Sequence, residues 1–161
     1  MKKYKFTGET KTIYLPFGTV TLHRIKAVVE FGLVKVGDLG GWIEKEENLS
    51  HEENAWVYGD AEVRGNAWVC GNAWVCGNAK VFSTDHVLVI GAIGSRNDFT
   101  TFFRDKDNEI TVKCGCFLGK IDKFLEKVTQ THKDTKHTLA YRTAVEVAKL
   151  QIDLTEKSTR R

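Results

Sequence analysis

Small and hydrophobic residues recur every six positions in the middle of the chain. From residue 54 five consecutive hexads read NAWVYG, DAEVRG, NAWVCG, NAWVCG and NAKVFS, and a weaker unit, NLSHEE at 48–53, keeps the same register. Each of the five has Asn or Asp first, alanine second and valine fourth. A helix of 3.6 residues per turn cannot keep these positions on one face, and plain strand alternation does not place a turn every six residues. The pattern predicts short strands joined by tight turns, with the valines inside.

The repeat resembles the hexapeptide-repeat left-handed parallel β-helix, in which three hexads form a triangular coil of about eighteen residues. In that fold the aliphatic residue fills the interior, alanine fits the corner, and Asn, Asp and Gly suit the turns because they tolerate positive φ. The resemblance implies that side chains eighteen residues apart stack on one face. We therefore expect Trp56 to lie on Trp74, Tyr58 on Cys76, and Glu62 on Lys80 as a surface ion pair.

Four aromatic residues of the repeat are expected to point outward. Exposed aromatic rings on a flat β-face are costly unless something covers them. Three coverings remain open: terminal segments of the same chain, a second copy of the chain, or a ligand stacked on the rings. We predict a homo-oligomer interface formed by Trp56, Tyr58, Trp68 and Trp74.

The flanking segments predict a strand-rich cap before the repeat and a small α+β unit after it. Alternating residues at Lys3–Ile13, Val20–Val29 and Leu33–Val36 indicate strands, and a glycine-rich stretch at 37–42 leads into the repeat. After it, an apolar run at Val87–Ile93 and a hairpin of Phe99–Arg104 with Glu109–Phe117 precede helices at Lys120–Thr131 and from Asp134 or Thr135 to about Leu154, with Leu139 and Val145 on the buried side. The predicted fold class is mainly β with a small α+β part: an N-terminal β cap (1–41), a short left-handed parallel β-helix (42–86), a C-terminal ββαα module (87–155) and a flexible tail (156–161).

Charge and composition narrow the classes of partner. The chain has 24 Lys and Arg against 21 Asp and Glu, a net charge of +3, and no basic stripe with interleaved aromatics, so nucleic acid is an unlikely partner. No window approaches the roughly 18 apolar residues of a membrane span, and the basic start is not followed by the apolar run of a secretory signal. We expect no membrane association, a cytoplasmic location and reduced thiols.

The cysteines and histidines lack metal-site spacing, so we predict no metal ion and no cofactor. Cys114-Gly115-Cys116 is placed within a strand, so both thiols point to one face and a bridge between them would be strained. Packing thiols are the favoured interpretation, and metal or redox chemistry remains the alternative.

The candidate ligand-binding residues are Ser95, Arg96, Asn97, Arg104 and His132. The first three lie in a polar turn, and arginine offers a bidentate fork for phosphate. Ser95 and Asn97 can add hydrogen bonds, Phe102 or Phe103 can stack on a base, and His132 follows the first helix. This set predicts a small anionic, nucleotide-like ligand. Ser95, Cys114 and His132 also carry the groups of a hydrolase, but nothing in their spacing brings them together.

Longer segments extend the resemblance. The stretches YKFTGET, VTLHRIKAV, GDLGGWIEKEENLS and the NAWV repeats resemble a family of bacteriophage and prophage proteins, and GSRNDFTTFFR, CGCFLGKIDKF and VTQTH resemble a module attached to that repeat. By analogy this resemblance implies a non-enzymatic phage counter-defence protein in the bacterial host cytoplasm, an oligomeric sponge that sequesters a nucleotide-type immune signal.

Two alternatives remain open. One is direct inhibition of a host defence effector, a nuclease or CRISPR component, through the aromatic face. The other is an acyltransferase using acyl-CoA, because that activity is widespread among hexapeptide β-helix proteins. Those enzymes generally use a histidine near a subunit boundary, and His51 and His86 flank the repeat without a loop insertion beside either.

Overall fold

The computed structural model describes residues 1–155, and the predicted flexible tail 156–161 lies outside the described residues. The described chain is mainly β with two α-helices, a mixed α+β architecture with open sheets. Before residue 87 its strands are β1 (Tyr4–Leu15), β2 (Gly18–Ala27), β3 (Leu39–Ile43), β4 (Trp56–Val57), β5 (Glu62–Val63), β6 (Trp74–Val75) and β7 (Lys80–Val81). From residue 87 they are β8 (Val87–Ile93), β9 (Asp98–Arg104), β10 (Ile110–Cys114) and β11 (Phe117–Lys120), followed by α1 (Ile121–His132) and α2 (Lys136–Gln151).

The predicted N-terminal hairpin is confirmed, but the third predicted strand is wrong. β1 and β2 pair antiparallel, and β2 continues onto β3. Leu33–Val36 forms only an isolated bridge from Val34 to Phe31, and the glycine-rich stretch is the strand instead. A Cβ at Gly40 would lie 2.6 Å from Ile25 Cγ1 and 2.7 Å from the Val57 carbonyl oxygen. Glycine is required there because β3 runs directly against the neighbouring backbone.

The six-residue repeat forms short parallel strands at the predicted offset. Trp56 pairs with Trp74 and Glu62 with Lys80, each 18 residues apart. Leu49 makes an isolated parallel bridge to Val69, and β3 pairs in parallel with β5. One five-stranded sheet therefore runs β1-β2-β3-β5-β7, and β4 with β6 forms a second.

The repeat valines are the inner surface of this region. All five are fully buried, and the repeat alanines are at most 1% exposed. Burying a valine side chain contributes about 1.5 kcal/mol or more, so the repeated position is the main source of stability here. The buried valines are Val57, Val63, Val69, Val75 and Val81.

The predicted surface ion pair of Glu62 is instead buried and shared. Glu62 is 6% exposed, with its Oε2 2.9 Å from Lys80 Nζ and 2.7 Å from Lys11 Nζ of the N-terminal hairpin. Two lysines thus compensate the buried carboxylate, and the hairpin is fixed to the repeat by charge as well as by its sheet.

Residues 87–155 form a four-stranded antiparallel sheet in the order β11-β10-β9-β8, with both helices packed on it. The apolar run at Val87–Ile93 and the hairpin that follows are confirmed as strands. The prediction of ββαα undercounts the strands, because Cys114 ends β10 and Gly115-Cys116 forms the turn into β11. The CxC motif therefore does not lie within one strand. Leu139 is also exposed, which contradicts its predicted burial.

Strand β9 contributes to both hydrophobic cores. Neighbouring side chains on a strand point to opposite faces. Phe103 packs with the buried residues of the repeat, whereas Phe102 packs with Phe124 and the helices. Both rings are fully buried, so β9 links the two halves of the described chain.

The β9–β10 turn adds a polar link. The Asp105 carboxylate, buried with its residue 3% exposed, accepts hydrogen bonds from Thr111 Oγ1 at 2.6 Å, from Lys120 Nζ at 2.7 Å and from two backbone amides of the turn. Asp105 also bridges to Ala79 of the repeat. Burial acts to raise the pKa of the Asp105 carboxyl, but these hydrogen bonds outweigh it and hold the pKa below its usual range.

None of the helices in residues 1–155 is long and apolar enough to span a bilayer.

Replacing Asp105 tests this turn. Asp105→Asn should lower the free energy of unfolding by about 2 kcal/mol at pH 7, because charged hydrogen bonds are lost. The pKa of the Asp105 carboxyl is lower in the folded state than in the unfolded state, where it is about 4. Its ionised form therefore stabilises the folded state above that pH, and this stabilisation is lost as the pH falls further. Urea unfolding from pH 7 to pH 3 should therefore show the gap between wild type and variant shrinking. Asp107→Asn, at an exposed carboxylate that also pairs with Lys120, is the control and should change little; an equal loss in both variants would contradict the assignment.

Candidate functional site

Two adjoining cavities lie where the turn between β8 and β9 meets the turn between β10 and β11. The small cavity, of about 270 Å³, reaches toward the helices, and the large cavity, of about 810 Å³, reaches toward the repeat. Both are lined by Arg96, Asp98, Gly115 and Cys116. These four residues form the shared wall.

The small cavity brings together three of the predicted ligand-binding side chains and Cys114. Ser95, Arg96, Cys114 and His132 all line it. The β8–β9 turn supplies the first two, the end of β10 supplies Cys114, and the last residue of α1 supplies His132. Three of the five predicted ligand-binding residues therefore share one cavity.

Among the described residues, Arg96 is a cation of the shared wall without an intramolecular partner. Its side chain is exposed, and within residues 1–155 its guanidinium has neither a hydrogen bond nor an ion pair. A Cβ at Gly115, which adopts a φ of +58°, would lie 3.8 Å from Arg96 Nη1, so the turn approaches the guanidinium closely. Arg96 thus presents its donors to both cavities.

Tyr141 of α2 helps to line the small cavity. Its ring stacks on His132 at 5.8 Å between centroids, and its hydroxyl lies 4.0 Å from Cys114 Sγ. Burial, with a further contribution from Cys114, raises the pKa of Tyr141 to about 12. The hydroxyl therefore stays protonated at neutral pH and can donate a hydrogen bond. Cys114 Sγ also accepts a hydrogen bond from Thr100 Oγ1 at 3.3 Å.

Arg104 does not belong to this site, which corrects the prediction. It is 3% exposed, and its Nε donates to the Lys80 carbonyl at 3.1 Å while its guanidinium stacks on Phe82. Arg104 ends the seven-residue strand that begins two residues after Arg96, so about 20 Å of extended chain separates them. The hydrogen bond and the stacking contact of Arg104 connect β9 to the repeat.

Asn97 shapes the turn and lines neither cavity. It has a φ of +50°, a conformation that asparagine tolerates better than most residues, and its backbone amide donates to the Gly94 carbonyl at 3.1 Å. Asn97 thus holds the loop that carries Ser95 and Arg96.

The four aromatic residues predicted at an interface have different surroundings. Trp56 is 3% exposed because Tyr4 and Phe31 of the same chain pack against it, so the first of the three coverings applies and Trp56 offers no surface to a partner. Tyr58 and Trp74 are half-buried and meet edge to face at 5.3 Å. Trp68 is 57% exposed.

The two histidines beside the repeat have structural contacts. His51 Nδ1 accepts from the Lys3 backbone amide, and its Nε2 lies 3.0 Å from Glu46 Oε1. His86 is 3% exposed and accepts from the Phe82 amide through Nδ1. His132, by contrast, lines the small cavity.

The cysteines are free thiols, and within residues 1–155 no group of three His, Cys, Asp or Glu residues is arranged to hold a metal ion. Cys114 and Cys116 both face the small cavity.

The sequence did not indicate the large cavity. Its lining combines the repeat, through Asn72 and Trp74, with Phe99 and Lys113 of the C-terminal sheet. These residues are far apart along the chain, and the local pattern of each fits an ordinary strand or turn. Only the packing of β9 against β6 brings them together.

Comparison with known proteins gives one informative similarity. A stretch of 62 residues is 39% identical to part of an uncharacterized acetyltransferase, YdcK, of Escherichia coli (strain K12). The match covers 36% of this chain, which spans 19% of that protein's length. No established family profile matches this chain. The similarity is compatible with the resemblance to hexapeptide-repeat proteins, whereas the phage family and the C-terminal module remain predictions.

Adding a methyl group at Gly94 tests how the small cavity is built. Gly94 has a φ of +81°, and a Cβ there would overlap the Tyr141 hydroxyl. Gly71 has a similar φ of +62° but open space around it, so Gly71→Ala measures the backbone cost alone, about 1 kcal/mol. Gly94→Ala should cost about 1–3 kcal/mol more in urea unfolding because Tyr141 must move. Equal losses would show that Tyr141 does not pack tightly there.

Proposed function

We propose that this protein binds a small anionic ligand of the nucleotide type at Arg96 and holds it without chemical change. The observation that carries the proposal is the position of the Arg96 guanidinium, exposed on the wall between two cavities with no intramolecular partner among the described residues. A planar guanidinium presents two parallel donors to a phosphate group. An anion bound there would complete the hydrogen bonding of this side chain.

The neighbouring groups suit the same ligand. Ser95 provides a hydroxyl, the Tyr141 hydroxyl is a donor at neutral pH, and His132 provides a ring nitrogen. Together with Arg96 they form a set dominated by hydrogen-bond donors, which favours phosphate oxygens.

The arrangement supports binding more than hydrolysis. Nucleophilic catalysis needs a base within hydrogen-bond reach of a nucleophile. Within residues 1–155 His132 contacts the rings of Tyr141 and His137, and it hydrogen-bonds to neither Ser95 nor Cys114. The groups share a cavity without that alignment.

The architecture proposed for the repeat is a short left-handed parallel β-helix. The pairs 18 residues apart, the buried valine in every hexad and the turn glycines with φ from +62° to +67° support it. The repeat strands pair in parallel within open sheets, and the three-sided left-handed coil remains part of the proposal.

The proposed biological role is phage counter-defence in the bacterial cytoplasm, in which an oligomer sequesters a nucleotide immune signal. Its support is the resemblance of the terminal segments and the repeat to phage and prophage proteins, together with the unpaired Arg96. Direct inhibition of a host defence effector is the alternative that the exposed Trp68 favours, since an exposed tryptophan is a common anchor of protein interfaces.

An acyltransferase is the second candidate, and the similarity to YdcK favours it. In that case the large cavity would hold acyl-CoA, and His132, which lines the adjoining small cavity, would act as the base that accepts a proton from an acyl acceptor bound there. The acyl group would pass from the thioester sulfur to the acceptor, and CoA thiol would leave.

Removing the Arg96 charge tests the main proposal. Titration calorimetry with inorganic pyrophosphate and with nucleoside 5′-monophosphates should show Arg96→Ala weakening binding by about 1–3 kcal/mol, the loss of a charged hydrogen bond. Arg142→Ala, at an exposed arginine outside both cavities, should leave affinity unchanged. Unchanged binding in Arg96→Ala, or no binding by wild type, would remove the proposal.

Recovery of the ligand separates the two candidates. If the protein only sequesters, mass spectrometry after incubation should return the nucleotide unaltered, and incubation with acetyl-CoA and an amine acceptor should yield no acetylated product, whether or not acetyl-CoA binds through its own nucleotide part. A shift with acetyl-CoA together with acetylated product would favour the acyltransferase.

The oligomer is tested at Trp68. Trp68→Ser should reduce the oligomer mass in analytical ultracentrifugation if this exposed ring lies between copies, whereas Tyr14→Ser, at an 81% exposed ring on the N-terminal hairpin, should not. Unaltered mass in Trp68→Ser would contradict an interface at this residue.

A further inference from the structure

The large cavity combines two aromatic rings with two cations. Trp74 comes from the repeat and Phe99 from the start of β9, while Arg96 comes from the β8–β9 turn and Lys113 from the end of β10. Asn54 and Asn72 add amide groups from the repeat side. An apolar lining with a few convergent polar groups is typical of a small-molecule site.

Trp74 is held in a fixed orientation. Its Nε1 donates to the Asn54 carbonyl at 2.8 Å, its backbone amide donates to Thr101 Oγ1 at 3.0 Å, and Tyr58 packs edge to face against it at 5.3 Å. The polar edge of the indole is therefore satisfied within the protein. A ring fixed in this way loses little conformational entropy when a ligand stacks on it.

The large cavity is lined by charged side chains of both signs. Lys113 Nζ donates to the Gly115 carbonyl at 2.7 Å and keeps further N–H donors, so it adds positive charge close to the Arg96 wall. Asp98 is the opposing charge, and its Oδ1 accepts from the Phe99 amide at 2.8 Å. Its carboxylate suits hydroxyl or amino groups of a ligand and repels a second anion.

The volumes of the two cavities indicate which part of a ligand each could hold. The small cavity, at about 270 Å³, lies below the roughly 300–1,000 Å³ of ligand pockets, whereas the large cavity at about 810 Å³ lies well within it. The small cavity has room for an anionic group at Arg96. The large cavity has room for a whole nucleoside phosphate, ring included.

We propose that the large cavity is a ring-binding compartment, in which a planar heterocycle stacks against Trp74 and Phe99 while the anionic group attached to it lies at Arg96 and Lys113. The ligand class is a nucleoside phosphate, oriented with its base toward the repeat and its phosphate at the shared wall. This inference rests on the proposed anion site at Arg96 and adds the side chains that distinguish a nucleotide from a simple phosphate.

The experiment compares ligands that differ only in the ring or only in the anion. Each common nucleoside 5′-monophosphate is titrated against ribose 5-phosphate and against the corresponding nucleoside, by calorimetry on the full chain. Wild type should bind at least one monophosphate at least about fivefold more tightly than ribose 5-phosphate, the lower end of the effect of stacking a base on an aromatic side chain.

Substitutions test which side chains cause the preference for a nucleoside monophosphate over ribose 5-phosphate. Trp74→Ala and, as a second variant in case the first fails to fold, Phe99→Ala should bring the monophosphate down to the affinity of ribose 5-phosphate and leave ribose 5-phosphate itself unchanged. Arg96→Ala should weaken both ligands. Tyr14→Ala removes an exposed aromatic ring far along the chain from the cavity and should alter neither.

The outcomes separate this inference from the anion site. Equal affinity of wild type for monophosphates and ribose 5-phosphate would overturn the ring compartment and leave the anion site standing. Nucleoside binding that depends on Trp74, without any effect of Arg96→Ala, would support the compartment and overturn the anion site. Absence of binding to all three ligand types would overturn both.

Discussion

The constraint on which the described structure depends is the burial of one valine in every six residues. Each of the five valines is removed from solvent completely, and the alanine two residues before it leaves room for the backbone to turn. The remaining segments pack around these five valines. The N-terminal hairpin is joined through β3 to the sheet of the repeat, and Lys11 of that hairpin pairs with Glu62 of the repeat. Phe103 packs on the buried valines from the C-terminal side. A polar residue at one of these valine positions would leave its hydrogen-bonding groups unsatisfied among apolar neighbours.

The candidate site is made by two turns rather than by a regular element. The β8–β9 turn carries Ser95 and Arg96, and the turn after Cys114 approaches it through a glycine with positive φ. Turns positioned by a rigid sheet commonly carry binding residues, since the sheet fixes their positions while the turn itself need not pack. The repeat, for its part, contributes an aromatic wall through Trp74. The candidate site and the repeat thus meet at one boundary.

Much of the fold could be predicted from the sequence because its signals are local. The hexad period gave the offset of the Trp56–Trp74 and Glu62–Lys80 pairs, and alternating residues located the first hairpin. The errors arose where tertiary packing decided. Gly40 and Gly41 look like a loop in the sequence, yet they lie in β3, which pairs with β2 and β5, and at Gly40 the neighbouring Ile25 side chain and Val57 carbonyl leave no room for a Cβ. In the site, Ser95, Arg96 and His132 were predicted, whereas Arg104 has the same chemistry but is buried against Phe82, a contact that no local pattern encodes.

The alternating faces of β9 bear on how the chain unfolds. Because Phe102 and Phe103 are consecutive and belong to different cores, neither core can lose this strand without removing an aromatic ring from the other. We therefore expect melting of the helical side to be coupled to melting of the repeat, so that the described part of the molecule unfolds as one cooperative unit although its two halves have unrelated architectures.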